Sequence, residues 1–174
     1  MQSTPLEITT RSPQETFELG RWLGERLRPG DVVGLDGSLG AGKTWLAKGV
    51  VAGISDDEVD ETLVKSPTYN LVYEYDVPRG EAPQRVVHID FYRLESLSDT
   101  DALLMGEVFD QAGAIFLVEW AERFLDELVD DHLAVRITPG SGDTDRTLRF
   151  RPQGAGARYQ ALLTELAQRA HPGD

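Results

Sequence analysis

The chain has no cysteine. That removes disulfides, thiolate metal ligands and cysteine nucleophiles from its chemistry. It also has no apolar run near the ~20 residues that a membrane span needs. The first residues, M-Q-S-T-P-L-E-I, show no basic segment followed by an apolar one, so no secretory signal is visible. A soluble, cytoplasmic protein is expected. Positive charge is scarce: 17 Lys and Arg stand against 30 Asp and Glu, for a net charge of −13. Such a chain repels nucleic-acid backbones, so nonspecific DNA or RNA binding is not expected. Internal repeats and low-complexity tracts are missing too.

What is present fits one domain over residues 1–174. A short strand is expected over Leu6 to Thr9. S-P-Q-E, Ser12 to Glu15, then reads as a capping box that opens a helix. That helix should run to about Arg28, with Phe17, Leu23 and Leu27 on its apolar side, and stop at Pro29-Gly30. An apolar strand follows around Val32 to Asp36, and a second helix from about Gly42 to Ala52. Residues 54–66 are acidic and loop-like. N-L-V-Y-E-Y from Asn70 and R-V-V-H-I-D from Arg85 read as a hairpin with a long connection. A short helix is expected over Thr100 to Met105. A-I-F-L-V-E from Ala114 is a buried strand by its continuous apolar run. Strands around Leu133 to Thr138 and Thr147 to Phe150 flank a G-S-G-D turn. A last amphipathic helix, Tyr159 to Ala170, turns Leu162, Leu163 and Leu166 inward. Strands interleaved with helices mean an α/β fold, and the hairpin makes the sheet mixed.

Between the Val32–Asp36 strand and the second helix lies G-S-L-G-A-G-K-T: Gly37, Ser38, Leu39, Gly40, Ala41, Gly42, Lys43 and Thr44. It fits the phosphate-loop pattern G-x-x-x-x-G-K-[ST] at every fixed position. Glycines let the backbone curl so that successive N–H groups converge on phosphate oxygens. The helix that follows adds its positive end. Lys43 would neutralise the β- and γ-phosphates, and the Thr44 hydroxyl would serve Mg²⁺, which prefers oxygen ligands. ATP and Mg²⁺ are the expected cofactors, on a P-loop NTPase-like mixed sheet flanked by helices. The plain alternative, a glycine-rich turn matching by chance, does not explain the strand before and the helix after.

A carboxylate at a neighbouring strand end usually helps hold the metal. Asp90 ends R-V-V-H-I-D, and Glu119 ends A-I-F-L-V-E. Both follow apolar runs, which puts them at the sheet mouth where open α/β folds bind ligands. Glu119 is favoured for holding the metal or polarising a water, with Asp90 on the metal's other side; the sequence leaves the division of labour open. Other features have plainer readings. S-P-T, Ser66 to Thr68, is either a switch-like loop whose threonine meets the γ-phosphate or a proline-centred turn. Arg93 either supplies positive charge to the phosphoryl group or forms a surface ion pair. His88 reads as a packed, hydrogen-bonded histidine. Trp120 reads as a contact aromatic or, more simply, as core. D-Q-A-G, Asp110 to Gly113, matches a GTPase motif but precedes its strand. No N-K-x-D follows anywhere, so adenine is preferred over guanine.

In order, G-S-L-G-A-G-K-T, K-S-P-T-Y-N-L-V, H-I-D-F-Y-R-L and V-E-W-A-E resemble the TsaE (YjeE) family, the bacterial ATPase of tRNA threonylcarbamoyladenosine biosynthesis. With the capped first helix they cover most of residues 12–122. The resemblance implies a P-loop ATPase working with TsaD and TsaB, which carry out threonylcarbamoyl transfer to tRNA adenosine. It implies that Lys43 and Thr44 handle phosphate and magnesium, and that Ser66 and Thr68 lie in a switch-like loop. Asp90 and Glu119 become the acids at metal and water, and Trp120 part of an E-W signature. Arg146 is matched loosely to a basic residue near the nucleotide. Ser38 departs from the family at a variable position of the loop, Trp45 replaces a smaller residue after the threonine, and the C-terminal third matches only in pattern. A tRNA-pathway protein this acidic need not grip tRNA itself if its partners do. The competing readings are a small P-loop kinase and an ATP-dependent switch without hydrolysis. The kinase would need an arginine-bearing lid, for which Arg79 and Arg85 are the nearest residues.

Overall fold

The structure, a computed structural model, describes residues 5–56 and 71–170. Ser66 and Thr68 lie outside the described residues. Among those described, seven strands form one sheet: β1 (Leu6–Thr10), β2 (Val32–Asp36), β3 (Val72–Val77), β4 (Gln84–Asp90), β5 (Ile115–Glu119), β6 (His132–Pro139) and β7 (Arg146–Gln153). Five helices pack around it: α1 (Pro13–Gly24), α2 (Lys43–Ile54), α3 (Asp99–Phe109), α4 (Leu125–Leu128) and α5 (Ala157–Ala170). A 3-10 turn spans Ala121–Arg123. The strand order is β1-β7-β6-β2-β5-β4-β3. The four central strands β6, β2, β5 and β4 run parallel. β3 is antiparallel to β4, β7 to β6, and β1 to β7.

Every residue of β2 and β5 is buried, as expected for strands covered on both faces. Val33, Leu35, Ile115 and Leu117 join Leu23 of α1, Val50 of α2 and Leu162 of α5 in one core layer. Val32, Phe116 and Val118 join Met105 of α3 and Leu125 of α4 in the other. Tyr159 of α5 pins the start of β2: its hydroxyl accepts the Val32 N–H at 2.8 Å.

The helix that follows the phosphate loop, α2, is fixed by α1 through backbone contact. Gly20 and Gly24 on α1 face Gly49 and Gly53 on α2. A Cβ on Gly49 would stand 2.1 Å from the Phe17 carbonyl oxygen, and one on Gly53 would stand 2.0 Å from that of Arg21. No side chain fits there, so the two helices meet main chain to main chain.

Three local expectations change. α1 ends at Gly24, not near Arg28. Leu27 is drawn into the core, and the Arg28 N–H is taken by the Asp31 carboxylate at 2.8 Å, so the chain leaves the helix early. Ser12 caps α1 by accepting from the Glu15 N–H at 3.1 Å, but Glu15 reaches back to Arg11 rather than to Ser12. A reciprocal capping box instead starts α3, between Ser98 and Asp101, and that helix runs on to Phe109. No helix among the described residues is long and apolar enough to cross a membrane.

Candidate functional site

β2 delivers the chain to the phosphate loop and α2 takes it away at Lys43. Gly37, Gly40 and Gly42 hold φ of 146°, 77° and 109°. These left-handed values are open to glycine and costly for other residues. Leu39 at the loop's crest is 80% exposed, whereas Ala41 is buried beneath it. Arg146, at the start of β7, braces the loop from behind. Its Nε donates to the Ala41 carbonyl at 2.9 Å, and its Nη1 donates to the carbonyls of Asp143 and Asp145. It does not line the cavity in front of the loop, so its contact is with the loop backbone.

That cavity has a volume of about 380 Å³. Leu39 to Trp45 form one wall, and Asp90, Tyr92, Glu119 and Trp120 the other. Asp90 and Glu119 end β4 and β5 and are paired directly opposite one another in the parallel register. They are only 3% and 2% exposed. Lys43 is buried between loop and acids. Its Nζ donates to the carbonyls of Gly37 at 2.7 Å and Ser38 at 3.1 Å, and lies 4.3 Å from the centre of the Trp120 ring. Burial lowers the pKa of its ammonium, while the charges of Glu119 and Asp90 work against that shift.

Trp120 reaches this position through a left-handed backbone, φ 57°. That conformation is uncommon for a bulky residue and marks a held geometry. Its N–H donates to the Leu35 carbonyl at 2.9 Å, and its ring lies 5.0 Å from that of Tyr92. Arg123 fastens the same corner by donating to the carbonyls of Tyr92 at 3.0 Å and Leu94 at 2.8 Å. Asp36, the last residue of β2, accepts the Glu122 N–H at 2.8 Å and ties the loop's entrance to the turn after β5. Burial pushes the Asp36 carboxyl above its ordinary pKa. Asp36 and Arg123 were not marked by sequence, and Glu122 entered only as the last residue of V-E-W-A-E. Their contacts join residues about thirty to ninety positions apart, and no local motif announces them.

His88 is fully buried and hydrogen-bonded, as its sequence position suggested, and its partner is Glu119, at 3.0 Å. Arg93 is exposed and does not line the cavity. The two hairpin arginines are engaged elsewhere: Arg85 binds Asp76 at 3.0 Å, and Arg79 donates to the Glu25 carbonyl at 3.5 Å. Asp110 to Gly113 lies before β5, beside Pro29 and Gly30 around a separate cavity. The D-x-x-G match is therefore remote from the phosphate loop.

Thr44, Asp90 and Glu119 all line the loop cavity and offer oxygens alone. No cluster of three or more His, Cys, Asp or Glu among the described residues could hold a metal. This donor set fits Mg²⁺, which takes one or two carboxylates, keeps waters and completes its shell with phosphate oxygens.

The family model for threonylcarbamoyl adenosine biosynthesis protein TsaE matches residues 10–148. The chain belongs to the TsaE family. The tRNA threonylcarbamoyladenosine biosynthesis protein TsaE of Bacillus subtilis is 33% identical over 163 residues, 94% of each chain. That of Mycobacterium leprae is 41% identical over 130 residues, 71% of this chain and 76% of its own. That of Streptomyces coelicolor is 37% identical over 143 residues, 82% and 92% respectively. A crystal structure of Bacillus subtilis YdiB superposes with a TM-score of 0.72 at 29% identity, covering 97% of both chains. The fold is accordingly the P-loop NTPase-like mixed sheet flanked by helices. The family match runs from the first strand to β7, so it takes in Lys43, Asp90, Glu119 and Arg146 together.

Proposed function

We propose that this chain is a Mg²⁺-dependent ATPase of tRNA threonylcarbamoyladenosine biosynthesis, acting with TsaD and TsaB. One observation carries the catalytic part: a buried lysine of the phosphate loop lies in the same cavity as two carboxylates that are neighbours in the sheet register. The tRNA modification named for the family and its relatives supports the pathway.

On this proposal the N–H groups of the loop and the start of α2 receive the phosphates. Lys43 releases the Gly37 and Ser38 carbonyls to meet the β- and γ-phosphate oxygens. The Thr44 hydroxyl and the Asp90 and Glu119 carboxylates hold Mg²⁺, directly or through water. The bound ion supplies charge neutralisation at the phosphoryl group. Glu119 also orients the attacking water within the cavity. Trp120 and Tyr92 shape the wall beside Lys43. No arginine lines the cavity among the described residues, which argues for slow hydrolysis by the isolated chain. It also disfavours a kinase with its own arginine lid, because transition-state charge on a phosphoryl group is commonly met by an arginine finger.

The test is phosphate release from ATP by the purified chain, alone and with TsaB and TsaD. Slow turnover that changes with the partners is expected. Partners that neither bind nor alter turnover would sink the assignment. Glu119→Gln should still bind the magnesium complex of ATP, within about tenfold of the parent, and hydrolyse it at least about a hundredfold more slowly. Turnover at the parental rate would remove Glu119 from the chemistry.

A further inference from the structure

We propose that His88 is a positioning residue for hydrolysis, acting through Glu119. This rests on the proposed role of Glu119 in that reaction. The two side chains meet inside the sheet. His88 lies on β4 two residues before Asp90, and its Nε2 stands 3.0 Å from Glu119 Oε1. Both side chains are essentially inaccessible, at 0% and 3%. Glu119 nevertheless lines the cavity and His88 does not. The imidazole therefore holds the carboxylate from behind while its front is open to ligand.

On this proposal Nε2 donates and the Glu119 carboxylate oxygen accepts. Among the described residues Nδ1 has no hydrogen-bond partner. The Tyr75 ring stands beside the imidazole at 6.4 Å between centroids, so Glu119 takes the side-chain hydrogen bond of His88 while Tyr75 packs against its ring. A donor fixed within the strand limits the rotation of Glu119, so one oxygen stays bound and the other is left for metal or water. Such supporting residues set the orientation of the groups in front of them.

Glutamine and asparagine separate reach from bulk. The amide nitrogen of His88→Gln falls near the Nε2 position and can still donate to Glu119. That of His88→Asn falls near Nδ1 and cannot. ATP turnover with TsaB and TsaD, nucleotide affinity by titration and thermal melting would be measured for both variants, for Glu119→Gln and for the His88→Asn/Glu119→Gln double variant. Expected are a loss of about tenfold or more in kcat for His88→Asn, nucleotide Kd within about twofold of the parent, and recovery of most of the rate in His88→Gln. In the Glu119→Gln background the second substitution should cost nothing further, since both changes act on one group. Should His88→Asn not fold, His88→Met, which fills the space without a donor, replaces it under the same criteria. Unchanged kcat in His88→Asn beside an impaired Glu119→Gln overturns the positioning role alone. So does an equal loss in His88→Gln, or a Kd that weakens in step with kcat. Parental turnover by Glu119→Gln instead overturns the role of Glu119, and the His88 role falls with it.

Discussion

Replacing Tyr159 by phenylalanine tests the anchoring of the strand that carries the phosphate loop. The ring is 3% exposed and its hydroxyl accepts the Val32 N–H at 2.8 Å. Phenylalanine keeps the ring and removes the acceptor. A buried N–H deprived of its partner costs about 1–3 kcal/mol, and that is the expected loss at pH 8. The phenol also gives a pH signature. Burial raises its pKa from 10.0 to about 12. The folded state therefore holds the proton more tightly than the unfolded state. The resulting stabilisation is complete below pH 10 and is lost as pH rises from 10 towards 12. With about 1.36 kcal/mol per pH unit for one proton, roughly 1.4 kcal/mol has gone by pH 11. The variant has no such group, so the gap between the two proteins should narrow by roughly that amount between pH 8 and pH 11. Urea unfolding at the two pH values measures it, and other titrating groups cancel in the difference. A gap that stays constant would show that the hydroxyl titrates as an ordinary phenol and that the burial argument is wrong. A gap near zero at pH 8 would show that the Val32 N–H has another acceptor.

Lys43→Ala should weaken nucleotide binding by roughly ten- to a hundredfold, the value of about 1.5–3 kcal/mol for a hydrogen bond to a charged group; calorimetric titration with a non-hydrolysable ATP analogue reads it, and parental affinity would refute the role of Lys43. Gly49→Ala should lower stability by about 1–3 kcal/mol, because its Cβ would stand 2.1 Å from the Phe17 carbonyl oxygen. Gly106→Ala on α3, where nothing lies within 4 Å of a Cβ, should raise stability by about 0.4–1 kcal/mol; melting curves of the pair check both signs, and a similar shift in both would refute the close-contact account of the α1–α2 crossing. Chelation with EDTA should abolish ATP hydrolysis and added Mg²⁺ restore it; turnover that survives chelation would contradict the oxygen-ligand assignment of Thr44, Asp90 and Glu119.

The parts of this fold legible in the sequence are those in which a local constraint fixes residue type. Gly37, Gly40 and Gly42 are readable because their backbone angles exclude other residues at low cost. β2 and β5 are readable because burial on both faces demands continuous apolar runs. Asp90 and Glu119 stand out as a pair: one acid after such a run reads equally well as a solvated strand end, but two beside a phosphate loop point to a site. What escaped depends on register. Nothing local says that Asp90 pairs with Glu119, or that the donor for Glu119 comes from β4. Arg146 was matched to the site loosely, but its bond to the Ala41 carbonyl spans 105 positions and could not be read. The cap of α3 was missed because Asp101 stands where Glu or Gln completes the usual pattern. The short helix α4 has only four residues, too few to show a period.

The charges inside the cavity bear on how an acidic protein could take up a polyphosphate. Lys43 brings one positive charge, and Asp90 and Glu119 bring two negative ones, all three on buried residues. Two of the three Lys43 donors are already spent on loop carbonyls. A bare triphosphate would enter a pocket whose own charge is unfavourable to it, inside a molecule of net charge −13. In a site of low dielectric that repulsion is poorly screened. A divalent cation reverses the balance, because the same carboxylates that repel phosphate attract it. Under the proposed function, ATP and Mg²⁺ therefore enter as a unit, and Asp90 and Glu119 contribute to affinity only when the metal is present. Removing either carboxylate should weaken binding of the magnesium complex while strengthening that of metal-free nucleotide. That crossing of signs distinguishes metal-holding acids from acids that merely line the cavity, since the latter would repel both forms alike.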